Sequence, residues 1–290
     1  MRGVAVSALA LCGCLSHHDA PPAAAADHAA LQLSSGQIRV VDQGSGDPIV
    51  LLHGFGAAIE SWGTTLEVLS QNHRVLALDA RGFGLSSRGD GDYSLAALAD
   101  DVDQAMALAG IERATIAAHS WGSAIALVFA LRHPDRVERL VLVDSLAYER
   151  QIPWAMKAAR TPGIGEFIVG TFYTSRLDAN LEEAFFDPSI LTYADVAAIR
   201  YVTEAPGSRA SALAISRGVR LSEWQDRYAE IDVPTLIVWG KQDRILGRWW
   251  ADRLAGDLGQ AEVATIDRCG HFPMLESPER FTALVEDFVR

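Results

Sequence analysis

Three residues far apart in the chain, Ser120, Asp243 and His271, are of the types that together turn a hydroxyl into a nucleophile. A serine hydroxyl is a poor nucleophile at neutral pH, so it needs a base within hydrogen-bond reach and an acid to orient that base. His271 would take the proton from Ser120 and later give it to the leaving group. Asp243 would hold the imidazole tautomer and stabilise its charged form. Each has an ordinary reading too: a helix cap, a turn aspartate, a structural histidine before Phe272-Pro273. Those readings leave unexplained why all three follow apolar, strand-like runs. Asp144, at the end of an earlier run, is the alternative acid. His119 is too near Ser120 in sequence to be its base and is expected to pack or hydrogen-bond beneath it. Attack on a carbonyl makes a negative oxygen, and donors aimed at it are often the largest catalytic contribution. The backbone N–H groups of Trp121 and Phe55 are the expected donors, and His53, Gly54 and Phe272 are expected to line the substrate pocket. No Cys/His cluster has zinc-ligand spacing, and this chemistry needs neither metal nor organic cofactor.

The elements that must position these residues are legible as alternating patterns. Ala114 to His119 is a short apolar run with β-branched residues, and Gly122 to Leu131 is a small-residue helical run. Ser120 lies at the junction. A strand that turns straight into a helix leaves almost no room, so small residues are needed two before and two after the pivot; here they are Ala118 and Gly122. The pivot is forced into a strained conformation beside a helix N-terminus. Gln37 to Gln43 alternates as a half-exposed strand, Ile49–Leu52, Arg74–Leu78 and Pro234–Gly240 read as buried strands, and Arg139–Val143 and Ala261–Ile266 as further strands. Helices are expected over Trp62–Ser70, from an N-cap at Ser94 to Ala109, and over Pro278–Val289. Alternating strands and helices imply an α/β fold with a mostly parallel, doubly wound sheet whose ligands bind beyond the carboxyl ends of the strands. The alternation breaks after Ser145. Residues 146–228 show no convincing strand and are read as a helical cap inserted into a core formed by residues 31–145 and 229–290.

The pieces His53-Gly54-Phe55-Gly56, Asp79-x-Arg81-Gly82-x-Gly84-x-Ser86, Ala118-His119-Ser120-Trp121-Gly122, Gly240-x-x-Asp243 and Gly270-His271 resemble those of the capped α/β-hydrolases, in the esterase, C–C hydrolase and perhydrolase group. The resemblance covers nearly all of residues 36–290. It departs in one place, since Ala118 stands where the G-x-S-x-G pattern has its first glycine. The order serine, aspartate, histidine is the order of that group. Epoxide hydrolases and haloalkane dehalogenases carry aspartate at the pivot, where this chain has Ser120. The three-glycine loop of lipases is absent. The resemblance implies acyl transfer to water through a Ser120 acyl-enzyme. The apolar, aromatic-rich rim, with no basic cluster for a charged acyl group, points first to small or medium uncharged carboxylic esters. The alternatives are a C–C bond hydrolase, with a pocket for a dicarbonyl acid, a perhydrolase, and a non-catalytic ligand-binding lipoprotein.

With 290 residues, 49% of them hydrophobic, the chain can bury a large core, and its net charge of −12 argues against a nucleic-acid partner. No protein partner is implied. At the N-terminus, Arg2 precedes the apolar run Val4–Leu11 and then Cys12-Gly13-Cys14. This reads as a secretory signal, too short to span a bilayer permanently. Leu-x-Gly-Cys resembles a bacterial lipoprotein signal in which Cys14 becomes the lipidated first residue. A plain cleaved signal ending near Ala23–Ala26 and a misplaced start codon are the alternatives. The expectation is export, with a lipid anchor to a bacterial membrane or with a periplasmic or secreted product. Residues 15–30, Pro/Ala-rich and aperiodic, read as a tether that includes His17 and His18. Cys14 and Cys269 alone would remain after processing, which supplies no disulfide framework; Cys269 is read as a buried residue or as lining the site.

Overall fold

A computed structural model describes residues 29–173 and 177–290. The signal, Cys14 and most of the tether therefore lie outside the described residues. Eight strands form one sheet in the order β1-β2-β4-β3-β5-β6-β7-β8. They are β1 (Ala30–Leu33), β2 (Gly36–Gly44), β3 (Pro48–Leu52), β4 (Arg74–Leu78), β5 (Ala114–His119), β6 (Val137–Val143), β7 (Thr235–Gly240) and β8 (Ala261–Ile266). From β4 onward in that order every neighbouring pair is parallel, and at the other edge the pairs β1–β2 and β2–β4 are antiparallel. The run Ile49–Leu52 and the whole of β5 are buried, as strands covered on both faces must be.

The core lies in two slabs, one on each face. Helices α2 (Leu95–Leu108) and α3 (Trp121–Arg132) pack on one side, through Leu98, Val102, Ile125 and Phe129 against Val50, Ile116 and Leu140. On the other side, α1 (Thr64–Leu69) and the closing helix α11 (Pro278–Val289) pack Leu66, Phe281 and Val285 against Leu51, Val141 and Val238. Ser94 caps α2, its side chain accepting the N–H of Ala97. Two differences from the sequence expectation are local. Ala30, read as the last tether residue, opens a strand, Ala30–Leu33, that had no sequence signal of its own and forms because it finds a partner in β2. The expected helix from Trp62 begins two residues later, at Thr64, after a tight turn at Ile59–Trp62.

Between β6 and β7 the chain forms α4 (Trp154–Ala159), α5 (Ile164–Phe172), α6 (Leu177–Ala184), α7 (Tyr193–Glu204) and α8 (Ser208–Gly218), with no strand among the described residues. This insertion meets the loops at the strand ends. The Ala184 carbonyl accepts the N–H of His271 at 2.7 Å, the Val202 carbonyl accepts from Arg88, and the Tyr173 ring stands edge-on to Phe55. The remaining helices are α9 (Trp249–Asp257) and the short α10 (Pro273–Glu276). No helix among the described residues is long and apolar enough to cross a membrane.

Candidate active site

Ser120 sits between the last residue of β5 and the first of α3, at φ +50°. A non-glycine residue there is strained, and such strain persists only where the surroundings over-determine it. The Ser120 N–H donates to the Val143 carbonyl and the Ser120 carbonyl accepts from Ser123 and Leu146, so both sides of the pivot are pinned. Gly122 explains the tightness. A Cβ on it would lie 2.6 Å from the carbonyl oxygens of Leu52 and His53. Ala118, where the resemblance would have glycine, is fully buried and accommodated in the strand.

From Ser120 the contacts run to residues more than a hundred positions away. Its Oγ donates to His271 Nε2 at 3.0 Å, and His271 Nδ1 donates to Asp243 Oδ2 at 2.9 Å. The other Asp243 oxygen accepts the N–H groups of Ile245 and Leu246, at 2.8 and 3.0 Å. Burial alone would push the Asp243 carboxyl up, but His271 and the Leu246 N–H outweigh it and hold it below the usual range. Asp144, the alternative acid, makes no hydrogen bond to His271; its Oδ1 accepts the N–H of Gly240 at 3.0 Å. The order of contacts is therefore serine, histidine, Asp243, the arrangement that raises the nucleophilicity of a hydroxyl.

His119 lies directly beneath. Its Nε2–H donates to the His271 carbonyl at 2.7 Å, and its ring centroid is 4.8 Å from that of His271. Complete burial, reinforced by the neighbouring His271, pushes its titration far down, so the ring is neutral. It braces the His271 loop and cannot serve as a base for Ser120.

The N–H of Trp121 opens α3, where a helix leaves its first donors without intrahelical partners. The loop carrying Phe55 closes on the same spot. A Cβ on Gly54 would sit 3.2 Å from Ser120 Cβ and 2.9 Å from His119 Nδ1, so only glycine lets this loop approach the nucleophile so closely. His53 departs from the pocket role expected of it. It is fully buried, accepting the Ala80 N–H on Nε2 at 3.0 Å and donating from Nδ1 to the Gly54 carbonyl at 2.7 Å. Burial pushes its titration down, and with both nitrogens engaged it is a brace under the loop, not a pocket wall. Phe272 is half-buried beside His271, stacked on Phe185 with centroids 5.0 Å apart. Phe55, Phe83 and Trp121 form an aromatic cluster beside Ser120, mutually edge-on at 4.9 to 6.3 Å, in which Phe55 is half-buried and Phe83 and Trp121 lie in the core behind it. Cys269 is buried, and burial with Glu276 nearby pushes its thiol up, so it is an inert packing residue.

Glu276 escaped the sequence reading. Its carboxylate accepts the N–H groups of Gly270 at 2.9 Å, Phe272 at 3.2 Å and, across the insertion, Phe186 at 2.7 Å. It thus folds the His271 loop and ties it to the segment after α6. The only signal available was an acid three residues after Pro273, a pattern common to any helix start. Glu276→Ala removes the acceptor for three N–H groups. We expect about 2 kcal/mol of lost stability and about a tenfold lower kcat, read by thermal melting and steady-state kinetics. Unchanged kinetics would show that the loop holds without it.

Residues 47–278 match the alpha/beta hydrolase fold family, and the chain belongs to it. The protein is a hydrolase of that family. It is 32% identical over 260 residues to a 2-hydroxymuconate semialdehyde hydrolase of Pseudomonas putida, covering 86% of this chain and 89% of that one. An enzyme of the same name from Pseudomonas sp. (strain CF600) is 30% identical over 262 residues, covering 86% and 88%. Among solved structures, a meta-cleavage product hydrolase from Pseudomonas fluorescens IP01 superposes with a TM-score of 0.78 at 24% identity, over 90% of this chain and 97% of that one.

Proposed function

We propose that the protein is a serine hydrolase that cleaves a C–C bond of a dicarbonyl acid through a Ser120 acyl-enzyme. The observation that carries the serine is the continuous contact from Ser120 through His271 to Asp243, with Ser120 held at positive φ. The choice of bond rests on the likeness, at about a third identity over most of both chains, to hydrolases named for 2-hydroxymuconate semialdehyde. That compound carries an aldehyde, an enolic 2-hydroxyl and a carboxylate. In this reading the 2-hydroxydiene first takes its 2-oxo form, losing the hydroxyl proton and gaining one at C5, which creates the second carbonyl. Ser120 Oγ then adds to the aldehyde carbon and its proton passes to His271 Nε2. The N–H groups of Phe55 and Trp121 hold the oxyanion. The C–C bond then breaks, its electron pair delocalising into the second carbonyl, and His271 returns the proton to the leaving carbon. Water, deprotonated by His271, hydrolyses the acyl-enzyme.

A charged substrate needs a cation, and the uncharged rim expected from the sequence is incomplete. Arg88, on the loop after β4, is half-buried and reaches across to the insertion, donating to the carbonyls of Gly84 at 2.5 Å and Val202 at 3.2 Å, while its Nε has no partner. The hydroxyl of Tyr173, beside Phe55, and the indole N–H of Trp121 are likewise buried without partners. Burial pushes the Tyr173 hydroxyl up to about 12, so it stays a donor at neutral pH. Arg88 and Tyr173, close enough to act on each other electrostatically, are the groups assigned to the carboxylate in this reading. Arg88→Leu is expected to raise KM for the dicarbonyl acid about tenfold or more, and Tyr173→Phe about threefold, with little change in KM for p-nitrophenyl acetate. Equal effects on both substrates would remove the carboxylate assignment.

The half-buried Phe55, backed by Phe83 and Trp121 beside Ser120, also favours a second reading, hydrolysis of neutral carboxylic esters by the same acyl-enzyme. Purified enzyme offered a 2-hydroxy-6-oxodienoate and a series of p-nitrophenyl esters separates the two. Turnover of the first at a higher kcat/KM supports C–C cleavage. Ester turnover with a chain-length optimum, and none of the dienoate, leaves the ester reading in its place.

A further inference from the structure

Asp144 is fully buried at the end of β6, in the left-handed region at φ +42°. Its Oδ1 accepts one N–H, from Gly240, but no donor reaches Oδ2. Asp243 brings a second carboxylate up against it. Oxygens of Asp144 and Asp243 and a nitrogen of His271 all lie within 4.8 Å of one another. The titratable groups around Asp144 are Asp243 after β7, His271 and Cys269 in the loop after β8, and Glu276 at the end of α10.

Two buried carboxylates in contact cannot both be ionised at tolerable cost. Their partners decide which keeps the proton. Asp243 has two backbone N–H groups and the His271 ring. Asp144 has one N–H and an orphan oxygen. A protonated Asp144 removes the orphan, because its O–H becomes a donor facing a carboxylate. We propose that Asp144 is a neutral carboxylic acid at working pH and donates its O–H to Asp243, extending the chain of contacts to Ser120–His271–Asp243–Asp144. Burial and the adjacent Asp243 act in the same direction, pushing the Asp144 carboxyl well above the usual range. Asp144 is then a positioning residue. By drawing charge from Asp243 it limits how strongly Asp243 stabilises the protonated imidazole, which keeps His271 available as a base.

The catalytic half of this inference rests on the reading of Ser120, His271 and Asp243 given above, whereas the protonation itself does not, and the test separates them. Asparagine imitates the protonated acid, since its amide can donate to Asp243 and accept from Gly240, and it tolerates positive φ. Thermal melting of the full chain is compared for the wild type and Asp144→Asn from pH 4 to pH 8. An aspartate that is neutral when folded and ionised when unfolded takes up a proton on folding above about pH 4, so wild-type stability falls as pH rises. The asparagine has no such dependence. The Tm of Asp144→Asn minus that of the wild type is therefore expected to rise by roughly 2 °C per pH unit above about pH 4. A difference that is flat, or that falls with pH, means an ionised Asp144 and overturns the proposal.

The second readout is the rate at which an active-serine phosphonate labels Ser120, measured against pH. Asp144→Ala leaves Asp243 without the donor and concentrates its charge toward His271. The acid limb of labelling, which reports protonation of the base, is expected to move to higher pH, and Asp144→Asn to restore it. If asparagine instead moves the limb to lower pH, a negative charge has been removed and the proposal fails. Absence of labelling in the wild type would refute the Ser120 reading and leave the melting comparison to decide the protonation.

Discussion

Ser120→Ala is expected to lower kcat by about 10⁶-fold and to abolish phosphonate labelling, with melting little changed. The size follows from cooperation. His271 and Asp243 act only through the Ser120 hydroxyl, so losing it costs nearly as much as losing all three; what remains is the contribution of oxyanion donors and binding. The fold should be indifferent, because alanine keeps the Cβ already accommodated at φ +50° and the backbone bonds to Val143, Ser123 and Leu146 do not involve the side chain. Mass spectrometry of the labelled wild type and variant, with turnover assays alongside, is the direct check. Retained turnover with a folded variant would refute the nucleophile.

Asp243→Asn should cost about 10⁴-fold in kcat. The asparagine oxygen can still accept from Ile245 and Leu246, so the loop after β7 keeps its shape. Its NH2, however, then faces His271 Nδ1. That favours the tautomer with the proton on Nε2, which cannot accept from Ser120. The loss should appear in kcat more than in KM, since the substitution acts on the imidazole tautomer and leaves the aromatic cluster of Phe55, Phe83 and Trp121 unchanged. If Asp243→Asn were mild and Asp144→Asn severe, the acid would be Asp144 and the contacts to His271 would have to rearrange.

The insertion is coupled to this machinery. The His271 N–H donates to Ala184, and Glu276 holds Phe186 together with Gly270 and Phe272. Movement of the segment after α6 would be transmitted to the His271 loop through two short hydrogen bonds. Arg88 makes a similar link between the loop after β4 and α7.

The sequence by itself determined the local events. The strand–turn–helix at Ser120 is written in Ala118, Gly122 and the apolar run before them, because the steric demand of a sharp turn falls on its immediate neighbours. The buried strands were legible because a strand covered on both faces must be apolar throughout; β3, β4 and β7 lie where those runs predict, within a residue or two at each end. The rest depended on partners distant in the chain. The residues 30–33 form a strand only because β2 is there to pair with them. His53 reads as a pocket residue until its two ring nitrogens are found engaged by Ala80 and Gly54. Glu276 carries no local mark of its three backbone donors. Asp144 and Asp243 are both aspartates after buried strands, and the sequence favoured Asp243 only by the run around it; the reason it meets His271 while Asp144 turns to the Gly240 N–H lies in loops that come together across the rim of the sheet.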